Sequence, residues 1–195
     1  MRFQFPRRSP ERVATPGDAA SECIVLTVSG EDRPGLLERL TGKIAESGCS
    51  IEECRAAVLG GRFTMSALLS GPWHALSRLE PQLPALGEQL GLALSHVRTQ
   101  EAAQARQAVP YNVELVTLDR PGIVHQLALF FARKGISIEE VNSTTYPAAH
   151  TGANMFSMLM TVGVPPDVHI ATLRGDFLDY CDDLNLDATF EPMRS

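Results

Sequence analysis

Two copies of one short motif carry the residues of this chain that are best suited to binding chemistry. The motif reads Asp-Arg-Pro-Gly and occurs as Asp32-Arg33-Pro34-Gly35 and again as Asp119-Arg120-Pro121-Gly122. Each copy follows an apolar run and precedes a helical pattern, so its glycine stands where the free N–H groups of a helix start point outward. Those N–H groups suit a carboxylate, and the neighbouring aspartate suits an ammonium group. The motif therefore predicts a site for the head of a free α-amino acid.

The same motif also suits a purely structural role. Aspartate near the N-cap and proline in the first helical turn are common signals of a helix start, and Pro34 has no N–H group to leave unpaired there. Duplication does not decide between the two interpretations, because a duplicated fold repeats its structural signals as well. Both interpretations stay open at this point.

The motif belongs to a longer internal repeat. It moves from position 32 to position 119, a shift of 87 residues, and other residues follow the same shift. Gly48 and the run Ser50 to Glu53 recur as Gly135 and the run Ser137 to Glu140. A repeat in register over this span predicts two copies of one fold.

Each copy is predicted to fold as β-α-β-β-α-β, because the hydrophobic period switches between two and about 3.6 along it. In the first copy the predicted strands are Ile24 to Val28, Ile51 to Leu59, Phe63 to Leu69 and Leu92 to Val97. Gly48 is the predicted end of the first helix, and Gly60-Gly61 is a tight hairpin signal. The second helical stretch, Trp73 to Leu90, is interrupted by Pro81 and Pro84.

The second copy repeats this plan with one difference. Its predicted strands include Val113 to Leu118, Met155 to Val162 and Leu186 to Phe190. Its predicted second helix is Ile170 to Cys181. Between its middle strands, a longer loop from Tyr146 to Gly152 replaces the two-glycine turn. This loop leaves open whether the second copy senses an amino acid or serves dimerisation or partner contact.

The predicted fold class is α/β, more narrowly an α+β sandwich of two tandem ferredoxin-like units with antiparallel sheets. The predicted division is a disordered basic tail (residues 1–20), a first domain (21–98), a polar linker (99–110) and a second domain (111–195). Each sheet leaves one face without helices, which predicts association between copies or chains and, most simply, a homodimer.

Composition narrows the function classes. The chain has 195 residues, of which 44% are hydrophobic and 21% charged, as in soluble globular proteins. Its formal net charge of −6 argues against direct nucleic-acid binding. Arg2, Arg7, Arg8 and Arg12 leave a nucleic-acid arm or a transit sequence open beside a solvated tail. No apolar run is long enough to span a membrane and no secretory segment is evident, so we expect a cytoplasmic protein.

No catalytic, metal or cofactor site is predicted. The four cysteines show neither a Cys-x-x-Cys pair nor a histidine at metal-ligand spacing, and small buried thiols are expected. Ser29, Ser66 and Ser70 lack the context of a nucleophile elbow. The neighbouring carboxylates Glu52 and Glu53 are expected on opposite faces of a strand, which does not suit paired acid–base work.

Four strings make a resemblance specific: Asp32 to Gly35, Gly48 to Glu53, Leu59 to Thr64 and Leu68 to Trp73. Together they resemble the glycine cleavage system transcriptional repressor family, a tandem pair of ACT domains. The resemblance covers the chain from about Cys23 to Pro192 and is strongest in the first copy. It implies a non-enzymatic regulator that responds to glycine or a similar amino acid and acts through a partner regulatory protein.

The resemblance also implies where an effector binds. ACT effectors lie between the strand-to-helix loop of one unit and the second strand of its neighbour, which adds Ser50 and Ser137 to the motif residues. Family members often have asparagine at these two positions, and the shorter serine changes the expected ligand contacts. The candidate ligand-binding residues are Asp32, Arg33, Pro34, Gly35, Leu36, Ser50 and Ile51 in the first copy and Asp119, Arg120, Pro121, Gly122, Ile123, Ser137 and Ile138 in the second.

Three other functions stay open from the sequence. A stand-alone ACT regulatory subunit of an amino-acid metabolic enzyme would carry the same ligand site. A catalyst would need a cleft with convergent titratable groups, and the residue spacing predicts none. A direct nucleic-acid binder would depend on the arginines near the N-terminus alone.

Overall fold

The computed structural model describes residues 22–100, 108–149 and 151–193. The predicted basic tail therefore lies outside the described residues. The chain divides into two compact units, and each carries one copy of the repeat.

The first unit has the element order β-α-β-β-α-β, with its second helix in two pieces. Its strands are β1 (Glu22–Glu31), β2 (Ser50–Leu59), β3 (Arg62–Ser70) and β4 (Leu92–Gln100). Its helices are α1 (Leu36–Glu46), α2 (Trp73–Leu79) and α3 (Leu83–Leu90), with the 3-10 turn Glu80–Gln82 between the last two. The strands pair in the order β2-β3-β1-β4, and all three pairings are antiparallel.

The second unit repeats this architecture. Its elements are β5 (Val109–Leu118), α4 (Ile123–Arg133), β6 (Ser137–Pro147), β7 (Asn154–Val164), α5 (Ile170–Asp183) and β8 (Asp187–Pro192). The strand order β6-β7-β5-β8 matches that of the first unit, again with antiparallel pairing. The predicted fold class, two ferredoxin-like units with antiparallel sheets, is confirmed.

Each core lies between the sheet and the helices on one of its faces. In β1 the alternate residues Ile24, Leu26 and Val28 are buried against α1, as the period of two in this run requires. In the second unit the core is aromatic, and the rings of Phe131, Phe177 and Phe190 pack with centroids 5.4 to 6.4 Å apart. Alternation along the strands thus decides which face is covered and which stays open.

The first helix of each unit ends as its glycine predicted. Gly48 has φ 82, and its N–H donates to Ala45 while the N–H of Cys49 donates to Ile44. This pair of bonds is the Schellman pattern, which needs a left-handed residue at that point. Gly135 ends α4 in the same way, with φ 68.

The predictions for the hairpins and for the second helix are also confirmed. Gly60 and Gly61, with φ 57 and 75, form the tight turn between β2 and β3. Pro81 lies in the 3-10 turn that separates α2 from α3. In the second unit the hairpin loop is longer, and the N–H of Ala148 closes it by donating to Ala153.

Three local expectations were wrong. Helix α1 begins at Leu36, so Pro34 lies in a turn before the helix and not in its first turn. Both ends of the predicted linker 99–110 belong to strands, because β4 runs to Gln100 and β5 starts at Val109. Cys54 is exposed, whereas Cys23, Cys49 and Cys181 are buried as expected.

The carboxylate pair at the start of β2 also departs from a regular strand. A register shift between Ile51 and Glu53 leaves Glu52 in a bulge, where it accepts a hydrogen bond from the Ser70 hydroxyl. The same shift occurs in β6 at Glu139. The side chains of Glu52 and Glu53 therefore do not follow the strict alternation between the two faces of a regular strand.

Candidate functional site

The Asp-Arg-Pro-Gly motif forms the turn between strand and helix in both units. In the first unit the N–H of Leu36 donates to the Arg33 carbonyl at 3.4 Å, and Gly35 has φ 87 and ψ −4. With proline second and a left-handed glycine third, this is a type II turn. Gly122 has nearly the same geometry, with φ 94 and ψ −2. A Cβ atom at either glycine would meet nothing within 4 Å, so the backbone angle, not lack of space, requires glycine here.

The helix that follows this turn starts without a side-chain cap in both units. The N-cap positions are Gly35 and Gly122, and no side-chain cap bond occurs there within the part of the chain that the structure describes, so neither Asp32 nor Asp119 acts as the expected N-cap. The amide of Leu36 is bonded to Arg33 within the turn, and that of Arg39 is bonded to the Gly35 carbonyl. Among the described residues, the amides of Leu37 and Glu38 have no protein acceptor. They are open to an external carboxylate.

The aspartates are held by their backbone, which leaves their side chains exposed. The N–H of Asp32 donates to the Gly61 carbonyl at 3.2 Å, and that of Asp119 to the Asn154 carbonyl at 2.8 Å. The motif is thereby fixed to the hairpin of its own unit. Each carboxylate stands beside the open helix start and is available to a cation.

The arginines of the motif have a partner that the sequence did not predict. The Arg33 Nη2 donates to the Leu90 carbonyl at 2.6 Å, and the Arg120 Nη2 donates to the Leu184 carbonyl at 2.7 Å. Both carbonyls lie at the carboxyl end of the unit's last helix, where a cation is favourable. Arg33 and Arg120 therefore connect the candidate ligand loop to the end of the last helix of the same unit.

The residues that follow these carbonyls share a backbone conformation. Gly91 has φ 64, and Asn185, at φ 52, is the one non-glycine residue with positive φ among those described. A Cβ atom on Gly91 would lie 3.0 Å from the Arg33 Nη2. Glycine and asparagine after an apolar helical run are recognisable helix-end signals. The helix ends that accept the bonds from Arg33 and Arg120 could therefore have been predicted from the sequence.

The apolar candidate residues belong to the cores. Leu36 is 5% exposed and Ile123 is 2% exposed, which leaves little of either side chain for a ligand. Ile51 and Ile138 are partly buried and pack against the core of their own unit. Their contribution is to fix the elements that carry the polar groups.

Within one unit, Ser50 and Ser137 lie far from the motif. Ser50 pairs with Ser70, which pairs with Cys23 near the start of β1, whereas Asp32 follows the end of that strand. Nine residues of strand separate these ends, which is ~30 Å at ~3.3 Å per residue. Ser137 is separated from Asp119 in the same way, through Gly163 and Pro110. The predicted residues therefore form two separate groups in each unit.

Two open grooves are lined by no residue of the motif itself. One, of about 500 Å³, runs along α1 from its first turn and reaches the start of β2. It is lined by Glu38, Thr41, Gly42, Ile44, Ala45, Cys49 and Ile51. Leu129 stands at the position of Gly42 in the second copy. The other groove, of about 510 Å³, lies between α5 and β8 and includes Cys181 and Asn185.

The cysteines of these grooves are not activated. Burial raises the pKa of the Cys49 thiol, and burial together with Asp182 raises the pKa of Cys181 to about 11. Both side chains are therefore neutral thiols near neutral pH. No group of three or more His, Cys, Asp or Glu side chains suited to a metal ion occurs in the described ranges. Across those same ranges, every helix is too short or too polar to cross a membrane.

Comparison with known proteins gives the following similarities. The sequence pattern of the ACT domain matches residues 22–97. The glycine cleavage system transcriptional repressor of Escherichia coli (strain K12) is 32% identical over 83% of this chain and 85% of that protein. A crystal structure of an unknown protein from Galdieria sulphuraria has a TM-score of 0.72 at 25% identity, covering 89% of this chain and 99% of that one.

A second crystal structure, of a candidate glycine cleavage system transcriptional repressor, has a TM-score of 0.68. It covers 91% of this chain and 100% of that chain at 24% identity, and at that identity it supports the fold alone. Both matches extend over the two units and not over one of them.

Proposed function

Because this chain belongs to the glycine cleavage system transcriptional repressor family, whose ACT-domain members are regulators and not enzymes, we propose that it is an amino-acid-responsive regulator. Its proposed effector is glycine or a similar free amino acid. It acts through contact with a partner regulatory protein in the cytoplasm and does not bind DNA or a membrane. Its functional form is a homodimer.

The observation that carries this proposal is the open start of α1 and α4. Each helix begins after a left-handed glycine without a side-chain cap, and an exposed aspartate stands beside it. The first-turn amides receive the effector's carboxylate, and Asp32 or Asp119 receives its ammonium group.

The remaining candidate residues take different parts in the proposed site. Pro34, Gly35, Pro121 and Gly122 set the turn, while Leu36 and Ile123 anchor the helix start in the core. Ser50 and Ser137 contact an effector held by the loop of another unit, because ~30 Å separates them from the loop of their own. Arg33 and Arg120 hold the loop in place through their bonds to Leu90 and Leu184.

The partner-contact part of the proposal is supported by charge. The chain carries a formal net charge of −6, which opposes contact with DNA phosphates. A regulator of this charge acts more readily on a protein that itself binds DNA. The proposed contact with a partner protein does not depend on which amino acid is bound.

Isothermal titration of the full chain with glycine, then serine and larger amino acids, tests the proposed site. We expect saturable binding of a small amino acid. Asp32→Ala should weaken it at least ~10-fold in the first unit, since an ion-paired hydrogen bond contributes about 1.5 to 3 kcal/mol. Glu46→Ala is the matched control, because it removes an exposed carboxylate from the opposite end of α1. If no amino acid binds to the unsubstituted chain, the proposal is wrong.

A further inference from the structure

The third residue of the first helix differs in charge between the two copies. Glu38 occupies this position in α1 and His125 occupies it in α4, related by the same shift of 87 residues. Both side chains are exposed. The first turn of α1 therefore carries a carboxylate, whereas the first turn of α4 carries none. Two turns with nearly the same backbone thus differ in charge where the effector's carboxylate is proposed to bind.

Glu38 stands among the amides that this carboxylate would use. The backbone amide of Glu38 is itself one of those without an acceptor, and the N–H of Gly35 has no backbone acceptor among the described residues either. A glutamate at the third position of a helix can reach back to the N–H of the N-cap residue. The Glu38 side chain borders the groove along α1, beside Thr41 and Gly42. The first unit therefore holds a carboxylate of its own within reach of the open amides.

A resident carboxylate lowers what the helix start can offer to a second one. A negative charge in the first turn is stabilised by the positive end of the helix dipole, and it repels a further anion placed beside it. Asp32 does not cause a difference between the copies, because Asp119 repeats it. In the second unit the imidazole of His125 brings no negative charge. The effector's carboxylate therefore meets less repulsion at α4 than at α1.

The other charged groups near the two turns do not account for the same difference. Arg33 and Arg120 occur in both copies and are bonded to helix ends. Arg39, the next residue of α1, has Gln126 as its counterpart in α4. A cation at this position attracts a carboxylate, so Arg39 acts in the opposite direction to its neighbour. The two effects can therefore be separated by the sign of their change on substitution.

We propose that Glu38 makes the first copy the weaker of the two amino-acid sites, so that the second copy, with His125, is filled first. This inference rests on the proposed binding of an amino acid at both turns and adds an order of filling. The chain then responds in two steps as the concentration of the effector rises. One turn geometry thereby reads two concentration ranges.

Nuclear magnetic resonance titration of the ¹⁵N-labelled full chain tests this order. Glycine and serine are the probes, and the amides of Leu37 and Val124 report on the two turns separately. We expect the dissociation constant at Val124 to be ~2- to 5-fold lower than at Leu37, the range for one charge at a helix start. Glu38→Gln should strengthen the first site by that factor and leave the second unchanged. His125→Glu should weaken the second site by a similar factor.

Arg39→Gln is the matched control, because it removes the neighbouring exposed charge of α1 and copies the residue type of α4. It should weaken the first site or leave it unchanged, but not strengthen it. Salt at about 1 M should bring the two dissociation constants closer together, because it screens charges and does not change shape. Melting temperature by circular dichroism checks each fold, and Glu38→His replaces the glutamine variant if that variant unfolds.

The outcomes separate this inference from the sensing proposal on which it rests. Equal dissociation constants at the two turns, tighter binding at Leu37, or an unchanged first site in Glu38→Gln would overturn the order of filling while amino-acid binding stands. The absence of a saturable shift at both turns would overturn the sensing proposal and the order together.

Discussion

At the scale of single residues, the arginine of the motif changes how the candidate site is understood. A cation that recurs in both copies of the motif suggests a direct contact with a ligand carboxylate, yet Arg33 and Arg120 each bond to the carbonyl at the end of a helix. The same bond forms in two units whose helix ends differ in sequence, Gly91 in one and Asn185 in the other. The contact is therefore a property of the motif and not of one local neighbourhood.

We expect Arg33→Ala to lower the free energy of unfolding of the first unit by about 1 to 2 kcal/mol, since it removes a charged hydrogen bond to a helix carbonyl. Arg120→Ala should cost less, because its bond is more exposed. Urea denaturation followed by circular dichroism measures both changes. Amide hydrogen exchange should also become faster at Gly91 and Leu92 in Arg33→Ala.

Arg39→Ala is the control for this prediction, because Arg39 is an exposed arginine on α1. Its unfolding free energy should stay within about 0.5 kcal/mol of the unsubstituted chain. Equal stability of Arg33→Ala and Arg39→Ala, with unchanged exchange at Gly91, would contradict a positioning role for Arg33.

At the scale of elements, each unit ties its second helical segment to its last strand by an ion pair, which in the second unit joins Arg174 to Glu191, but the surrounding contacts differ. In the first unit Arg98 on β4 forms a bidentate pair with Glu80 in the 3-10 turn, at 2.8 and 2.7 Å, and also bonds to Glu22 on β1. In the second unit an unbroken α5 packs through aromatic rings such as Phe177. The broken helix of the first unit is thus tied to the sheet by charge.

This ion pair makes the first unit sensitive to acid. The hydrogen bonds from Arg98 lower the pKa of Glu80, so the carboxylate is stabilised in the folded state. A lowered pKa contributes stability above the ordinary carboxyl range, and that contribution is lost as the pH falls through the folded-state pKa. Glu80→Gln should therefore destabilise the chain near neutral pH by no more than about 1 kcal/mol, and the difference should vanish in acid.

Urea denaturation at about pH 7 and about pH 3 measures this effect. Glu88→Gln serves as control, since Glu88 is an exposed carboxylate on α3. An equal loss of stability by Glu80→Gln at both pH values would show that packing, and not the charge of Glu80, holds the turn.

Elements were predictable from sequence where a local signal determines them. Alternation in β1 and the glycines at positions 48 and 135 specify a strand and two helix ends through local chemistry alone. Pro34 was misplaced because proline suits both a first helical turn and the second position of a type II turn. The reach of Arg33 to Leu90, over 57 residues, depends on tertiary packing that no local pattern encodes.

The separation of Ser50 from Asp32 shows the same limit for the candidate site. Both lie near helix α1 in sequence, but β1 and α1 run in opposite directions and place them at opposite ends of the unit. Sequence supplies the residue types of the site, whereas strand register decides which of them share one location. The exposed Cys54 on edge strand β2 was unpredictable for a similar reason, since burial depends on how far the helices extend over the sheet.

At the scale of the whole molecule, the two copies have kept one feature and changed others. The turn before the first helix is nearly identical, with φ 87 at Gly35 and φ 94 at Gly122. The hairpin loop and the groove residue Gly42 differ between the copies. The turn proposed to bind the amino acid is thus the feature that the two copies share most closely.

This pattern predicts that both copies bind the amino acid. Titration with the effector should give two molecules per chain, and Asp119→Ala should reduce this to one without changing the affinity of the site at Asp32. The reason is that the open amides, the left-handed glycine and the exposed aspartate occur in each unit. Asp167→Ala is the matched control, an exposed aspartate that follows β7 at the opposite end of the same unit. Unchanged stoichiometry after Asp119→Ala would mean that the second copy keeps the fold of a sensor but binds no amino acid through Asp119.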